Sequence, residues 1–201
     1  SDHHYVFPAG LEDAMDIQAE EARALGMRMT LNRGSMNLSQ KDGGLPPDSV
    51  VQDHDTILKD CERVIKVHHL TGGSSYENSS GRVENGDLRA SERSVLKVRE
   101  HRSAEKRHLQ TGLTNLHANS GEEALIEVAL APCSPFSVTR ELMRDTAVLA
   151  KQCGCRLHTH LAETHDEDRF CVETFGLRPL DYLDDCGWLH DRTWLAHGIH
   201  F

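Results

Sequence analysis

Apolar positions follow a helical interval in some stretches and an alternating or continuous one in others, and the two kinds succeed each other. From Leu11 to Gly26 the apolar residues Leu11, Met15, Ala19, Ala22 and Leu25 recur at helical spacing, and Gly26 is a natural stop. MRMTLNRG follows at once and predicts a short strand ending at Gly34. After a loop rich in Gly and Pro, SMNLSQKDGGLPPDS, Asp48 or Ser49 can cap a second helix through VVQDHDTILKDCERVIKVHH. ALIEVALAP, Ala124 to Pro132, predicts a buried strand. Thr139 opens a third helix, TRELMRDTAVLAKQCG, with Glu141 close behind the cap. CRLHTHLAE is the next strand. THDEDRFCVETFG and PLDYLDDCG predict two helices, stopped by Gly176 and Gly187, before a last strand in RTWLAHG.

Helices between short apolar strands are the pattern of repeated βα units around a parallel sheet. The chain offers four clear strands and a further strand end in Ser1–Tyr5. A TIM barrel needs eight, so the α/β pattern fits a small open sheet or part of a barrel.

One stretch breaks the succession. From about Leu70 to Leu116 the chain is polar, with few aliphatics and no amphipathic period. Between Thr71 and Leu116 eight Lys/Arg stand against six Asp/Glu, while the whole chain carries a formal net charge of -10. Connections within α/β units usually take about 2–6 residues, so this segment is expected to be a disordered insertion. The expected division is barrel βα units over 1–69, an insertion over 70–118, and barrel βα units over 119–201. The insertion reads as a solvated loop, translated non-coding sequence or a basic tail for an acidic partner.

Length allows one domain with a sizeable core. The acidic balance argues against nucleic acid as a partner. No run of about 18 apolar residues marks a membrane span, and SDHHYVFPAG lacks the charged and apolar regions of a signal peptide. Six cysteines without a C-x-x-C pair read as reduced thiols in a cytoplasmic protein. Fourteen histidines point weakly to metal or proton chemistry, although most can be surface residues.

The densest chemistry is RLHTHLAETH, Arg156 to His165. On a strand His158 and His160 share one face. Glu163 follows just beyond the strand end. A histidine that holds a metal, with a free carboxylate nearby, forms a pair able to activate water and move its proton. Two histidines and a glutamate also occur together by chance. TWLAHGIH adds His197 at the end of the next strand, so two consecutive strands would deliver imidazoles to one mouth. Adjacent His3 and His4 point to opposite sides of an extended chain and are expected to shape a loop there. Arg33 ends a strand where a guanidinium could bind a substrate carbonyl or carboxylate. Cys133, between Pro132 and Pro135, could line a pocket but has no local base to make it a nucleophile.

ALAPCSPFSVT, RLHTHLAET and TWLAHGIHF resemble the amidohydrolase superfamily. SDHHYVFPAG, LNRGSMNLSQKDGGLPP and DYLDDCGWLHDRTWLAHG are most similar to its aminohydrolase branch, the group of 8-oxoguanine deaminase and the triazine hydrolases. The likeness covers nearly everything outside 71–116. It implies a metal-dependent TIM (β/α)8 barrel with a small flanking β-domain. It implies hydrolytic removal of an amino group from a purine-like or triazine-like ring, with a small heterocycle as substrate. It also implies one divalent metal, usually Zn2+, held by an H-x-H, one further histidine and an aspartate. On this mapping His160 is the metal ligand and Glu163 carries protons between water and substrate. His197 orients the attacking water, Cys133 and Arg33 contact substrate, and His158 packs beside the site.

The family's first-strand H-x-H and eighth-strand aspartate have no counterpart here, since the H-x-H of RLHTHL lies on the strand that matches the fifth. The resemblance therefore expects a piece covering about strands 2 to 6, incomplete and inactive alone, with a homo-oligomer of the intact protein left open. A non-catalytic remnant, or an interaction protein working through its basic insert, is the alternative.

Overall fold

A computed structural model of the chain describes residues 1–8, 10–69 and 125–201. The expected insertion lies outside the described residues. Five strands form one sheet: β1 (Asp2–His4), β2 (Met29–Ser35), β3 (Ile126–Pro132), β4 (Arg156–Leu161) and β5 (Thr193–His197). They lie side by side in chain order, and every neighbouring pair is parallel. Helix α1 (Ala14–Ala24) joins β1 to β2, and α2 (His54–His68) follows β2. Helix α3 (Arg140–Cys153) joins β3 to β4, while α4 (His165–Phe175) and α5 (Pro179–Asp185) lie between β4 and β5. In-order parallel strands separated by helices make half of a (β/α)8 barrel. The strand end expected near Ser1–Tyr5 is a paired strand, with His3 opposite Asn32 and His4 opposite Arg33.

Alternation along the strands separates two faces. Leu31 of β2 and Ile126 and Val128 of β3 pack with Met15, Ala19 and Ala22 of α1 and Val64 of α2. Leu130, Leu157 and Leu161 join Ile57 and Cys61 of α2 and Leu142, Met143 and Ala147 of α3. This helix-facing side holds the aliphatic core, each fully buried Leu or Ile contributing about 1.5–3 kcal/mol. Trp188 is fully buried in it and donates its indole N–H to the Met143 carbonyl at 2.9 Å. The opposite side of the sheet carries His3, Asn32, Gly34, Ala129, Ala131, His158 and His160, which are small or polar. An aliphatic face turned to helices and a polar face turned away is what seats chemistry inside a barrel rather than behind it.

Of the two expected helix N-caps, one is observed and one is displaced. Thr139 caps α3 through Leu142 N–H at 3.3 Å, and Gly154 ends it in the left-handed region. Asp48 and Ser49 do not cap α2. They form a short 3-10 turn, after which Val51 is extended. Gln52 N–H is held by the Met36 carbonyl at 2.9 Å, which keeps the chain out of the helix until Asp53. Asp53 is the cap, accepting from Thr56 N–H at 2.9 Å.

Candidate active site

Parallel pairing of β4 and β5 sets His158 beside Trp194, His160 beside Ala196 and Leu161 beside His197. Register alone would put His197 on the face of Leu161, but with its backbone at φ 70° its ring lies 5.4 Å from that of His160 between centroids. From β1 the His3 ring stacks on His160 at 4.7 Å with 10° between planes, and meets His158 edge-on at 4.9 Å. Four imidazoles from three strands thus share one end of the sheet.

Three of the rings, those of His3, His158 and His160, donate to a carbonyl, which can only accept. His160 Nδ1 lies 2.7 Å from the Cys133 carbonyl, so Nδ1 holds the proton and Nε2 is left with the lone pair. A histidine oriented this way through one nitrogen is prepared to bind a metal through the other. His158 donates from Nδ1 to the Trp194 carbonyl at 3.0 Å and stacks on that indole at 4.7 Å. Burial lowers its pKa, and the ring serves as packing beside the site. His3 donates from Nε2 to the Ala131 carbonyl at 2.8 Å, and its Nδ1 is buried without a partner. Burial pushes its pKa down to about 4, which keeps the ring neutral at neutral pH.

His3 is a residue that sequence reasoning set aside as loop-shaping. Gly34 is what admits it. A Cβ at Gly34 would strike the His4 carbonyl oxygen, lie 2.6 Å from Tyr5 Cβ and 2.9 Å from His3 Cδ2. His4 takes the other side of the strand, as alternation requires, and packs on Phe7 at 4.8 Å. The signal available in the sequence was the glycine ending MRMTLNRG, a mark of close approach within a strand.

Glu163 and His197 meet across the two strand ends, Oε2 to Nε2, at 3.5 Å. Both are reached through unusual backbone. Ala162 has φ 55° and His197 φ 70°, left-handed values that cost a non-glycine residue about 1–3 kcal/mol. Hydrogen bonds lock them. Leu161 O accepts from Gly198 N–H at 2.9 Å, and Ala162 O accepts from Ile199 and His200 N–H, each at 3.0 Å.

Cys133 is half-buried at the end of β3, its Sγ 4.0 Å from His160 Nδ1. Its backbone does the holding: the carbonyl accepts the His160 ring, the His160 N–H at 3.0 Å and the Thr159 hydroxyl at 3.2 Å. Burial raises its thiol pKa, consistent with a neutral wall rather than a nucleophile. Arg33 is not brought to this group. It shares the helix-facing side with Leu31, is fully buried, and donates to Asp60 at 2.7 Å, Gln52 at 3.0 Å and the Gly34 carbonyl. Its guanidinium lies 4.0 Å over the Phe7 ring.

His160 fits a metal as one ligand. Among the described residues no group of three or more His, Cys, Asp or Glu is arranged to hold an ion, so a metal there needs ligands beyond them.

The amidohydrolase family model matches residues 2–201. The chain belongs to the amidohydrolase family. It is 46% identical over 201 residues to an 8-oxoguanine deaminase of Pseudomonas aeruginosa, covering 100% of this chain and 34% of that protein. It is 28% identical over 201 residues to a hydroxydechloroatrazine ethylaminohydrolase of Pseudomonas sp. (strain ADP), covering 100% of this chain and 31% of the relative. Among solved structures, an atrazine chlorohydrolase from Arthrobacter aurescens TC1 complexed with zinc superposes with a TM-score of 0.68. That likeness covers 98% of this chain and 32% of the enzyme at 24% identity, and shows a shared fold. This amidohydrolase chain spans about a third of the length of the curated relatives it matches.

Proposed function

We propose that the chain supplies part of the active site of a hydrolase that removes an amino group from a purine-like or triazine-like ring. The observation that carries the reading is the convergence of His160, Glu163 and His197 at the ends of β4 and β5, with His160 Nε2 left as a free acceptor. The 46% identity to a protein named as an 8-oxoguanine deaminase supports a heterocyclic substrate.

His160 would hold a divalent metal, zinc by family resemblance, together with ligands outside the described residues. Such a metal supplies acidity, bringing the pKa of a bound water to about 7. Glu163 takes the proton of the attacking water and delivers it to a ring nitrogen or to the leaving amine. His197, within reach of that carboxylate, orients the water and steadies the negative oxygen forming on the ring carbon. Water oxygen bonds to that carbon, the exocyclic C–N bond breaks, and the nitrogen leaves as ammonia with the relayed proton. Cys133 and His3 border the ring's place, while Arg33 holds β2 against α2.

An ammonia-release screen of purines, pterins and triazines against the metal-loaded full-length protein tests the reading. Release that falls by about 10²-fold or more in Glu163→Gln supports it. No release from any ring would favour a second reading, a non-catalytic remnant.

A further inference from the structure

Thr164 to Glu167 has the T-x-x-E spacing of a capping box at the start of α4. In that motif the threonine accepts from the glutamate's backbone N–H, and the glutamate side chain returns to the N–H of the threonine. The first half is present: Thr164 Oγ1 accepts from Glu167 N–H at 3.3 Å. The second half is not. Glu167 reaches past the cap, with Oε1 accepting from Ala162 N–H at 2.9 Å and Oε2 from Glu163 N–H at 3.0 Å. The side chain is buried, at 1% exposure. A surface capping box would finish the helix without desolvating a charge, so the burial answers to something else.

The two amides identify it. One belongs to Ala162, held at φ 55°, and the other to Glu163, whose carboxylate faces His197 at 3.5 Å. The peptide between Ala162 and Glu163 is gripped at both poles: its N–H by Glu167, its carbonyl by Ile199 and His200 of the segment after β5. Without the carboxylate, two loop amides lose their acceptor and the left-handed turn loses one of its restraints.

We infer that Glu167 is a positioning residue, whose buried carboxylate holds the turn at Ala162 and thereby aims Glu163 at His197. This rests on the proposed role of Glu163 as proton carrier, but the contact itself can be tested apart from that role.

In the isotope-labelled unmodified chain, scalar couplings across hydrogen bonds should link Glu167 Cδ to the amide nitrogens of Ala162 and Glu163. Their absence overturns the inference. Hydrogen exchange at those two amides should quicken about tenfold or more in the near-isosteric Glu167→Gln, the scale of one charge-assisted bond. Thr164→Ala, which removes only the cap, should leave them protected. Equal loss of protection in both variants would reduce Glu167 to a helix cap.

In the full-length protein, Glu167→Gln should lower kcat by up to about 10²-fold with KM nearly unchanged, the scale of a misplaced catalytic group. In the Glu163→Gln background it should lower kcat no further. The same loss in both backgrounds would mean that Glu167 does not act through Glu163. If the unmodified protein releases no ammonia, the deamination reading fails, and couplings and exchange alone decide the positioning.

Discussion

His160, Glu163 and His197 are each held by something other than themselves. If Glu163 is the proposed proton carrier, removing it should leave the frame standing: Glu163→Gln is expected to lose about 10²–10⁴-fold in kcat with an unchanged unfolding midpoint. Gly34 offers a complementary test of the frame. Gly34→Ala drives a methyl into the His4 carbonyl and the His3 ring, and should cost about 1–3 kcal/mol in urea unfolding. Of His160, Glu163 and His197, only His160 has its face assigned by alternation; Glu163 lies beyond β4, and His197, paired with the helix-facing Leu161, turns to the site only through its left-handed backbone. His3 was not legible, since His3 and His4 are the same residue type and only the pairing with β2 decides which turns inward. Arg33 carried an unused signal in Leu31, two residues earlier and on the same helix-facing side.

Elements are joined by side chains whose pairing no periodicity announces. Asp16 of α1 lies 2.7 Å from Arg63 and 2.6 Å from His68, both of α2. Partial burial would raise the Asp16 pKa, but hydrogen bonds and charge from Arg63 and His68 outweigh it and hold it below the ordinary 3.8. A carboxyl whose folded pKa is depressed stabilises fully above its unfolded pKa and ceases to as pH falls through the folded value. Asp16→Asn should thus be less stable than the parent at neutral pH, and the gap should close as urea midpoints are followed into acid below about pH 4. Element succession was legible from the alternation of helical and apolar runs. The start of α2 was not, because the choice between Asp48, Ser49 and Asp53 is made by Gln52 binding Met36, a contact between distant parts of the loop.

For the whole molecule, the path of the chain at His69 matters most. Its Nδ1 accepts from Val128 N–H at 3.0 Å, so at His69 the chain already touches β3. On the far side of the stretch from 70 to 124, Leu125 is already at the start of β3, its carbonyl receiving Met29 N–H at 2.8 Å. A variant joining 69 directly to 119 should keep the unfolding midpoint and, at most, raise it slightly through the smaller loop-closure entropy. Collapse of the transition would show that the segment belongs to the fold rather than being inserted into it. Half a barrel was legible as a count of βα units; its polar inner face emerges only when register sets His3, Asn32 and Ala129 in one row.

The knot of amides around the Ala162 carbonyl has a bearing on how such a site changes over generations. It couples the segment bearing Glu163 to the one bearing His197, so neither can drift without the other. On the proposed reading, a new substrate is then accommodated elsewhere, at Cys133 and the rim of β1, where a side chain can be exchanged while Glu163 and His197 stay put.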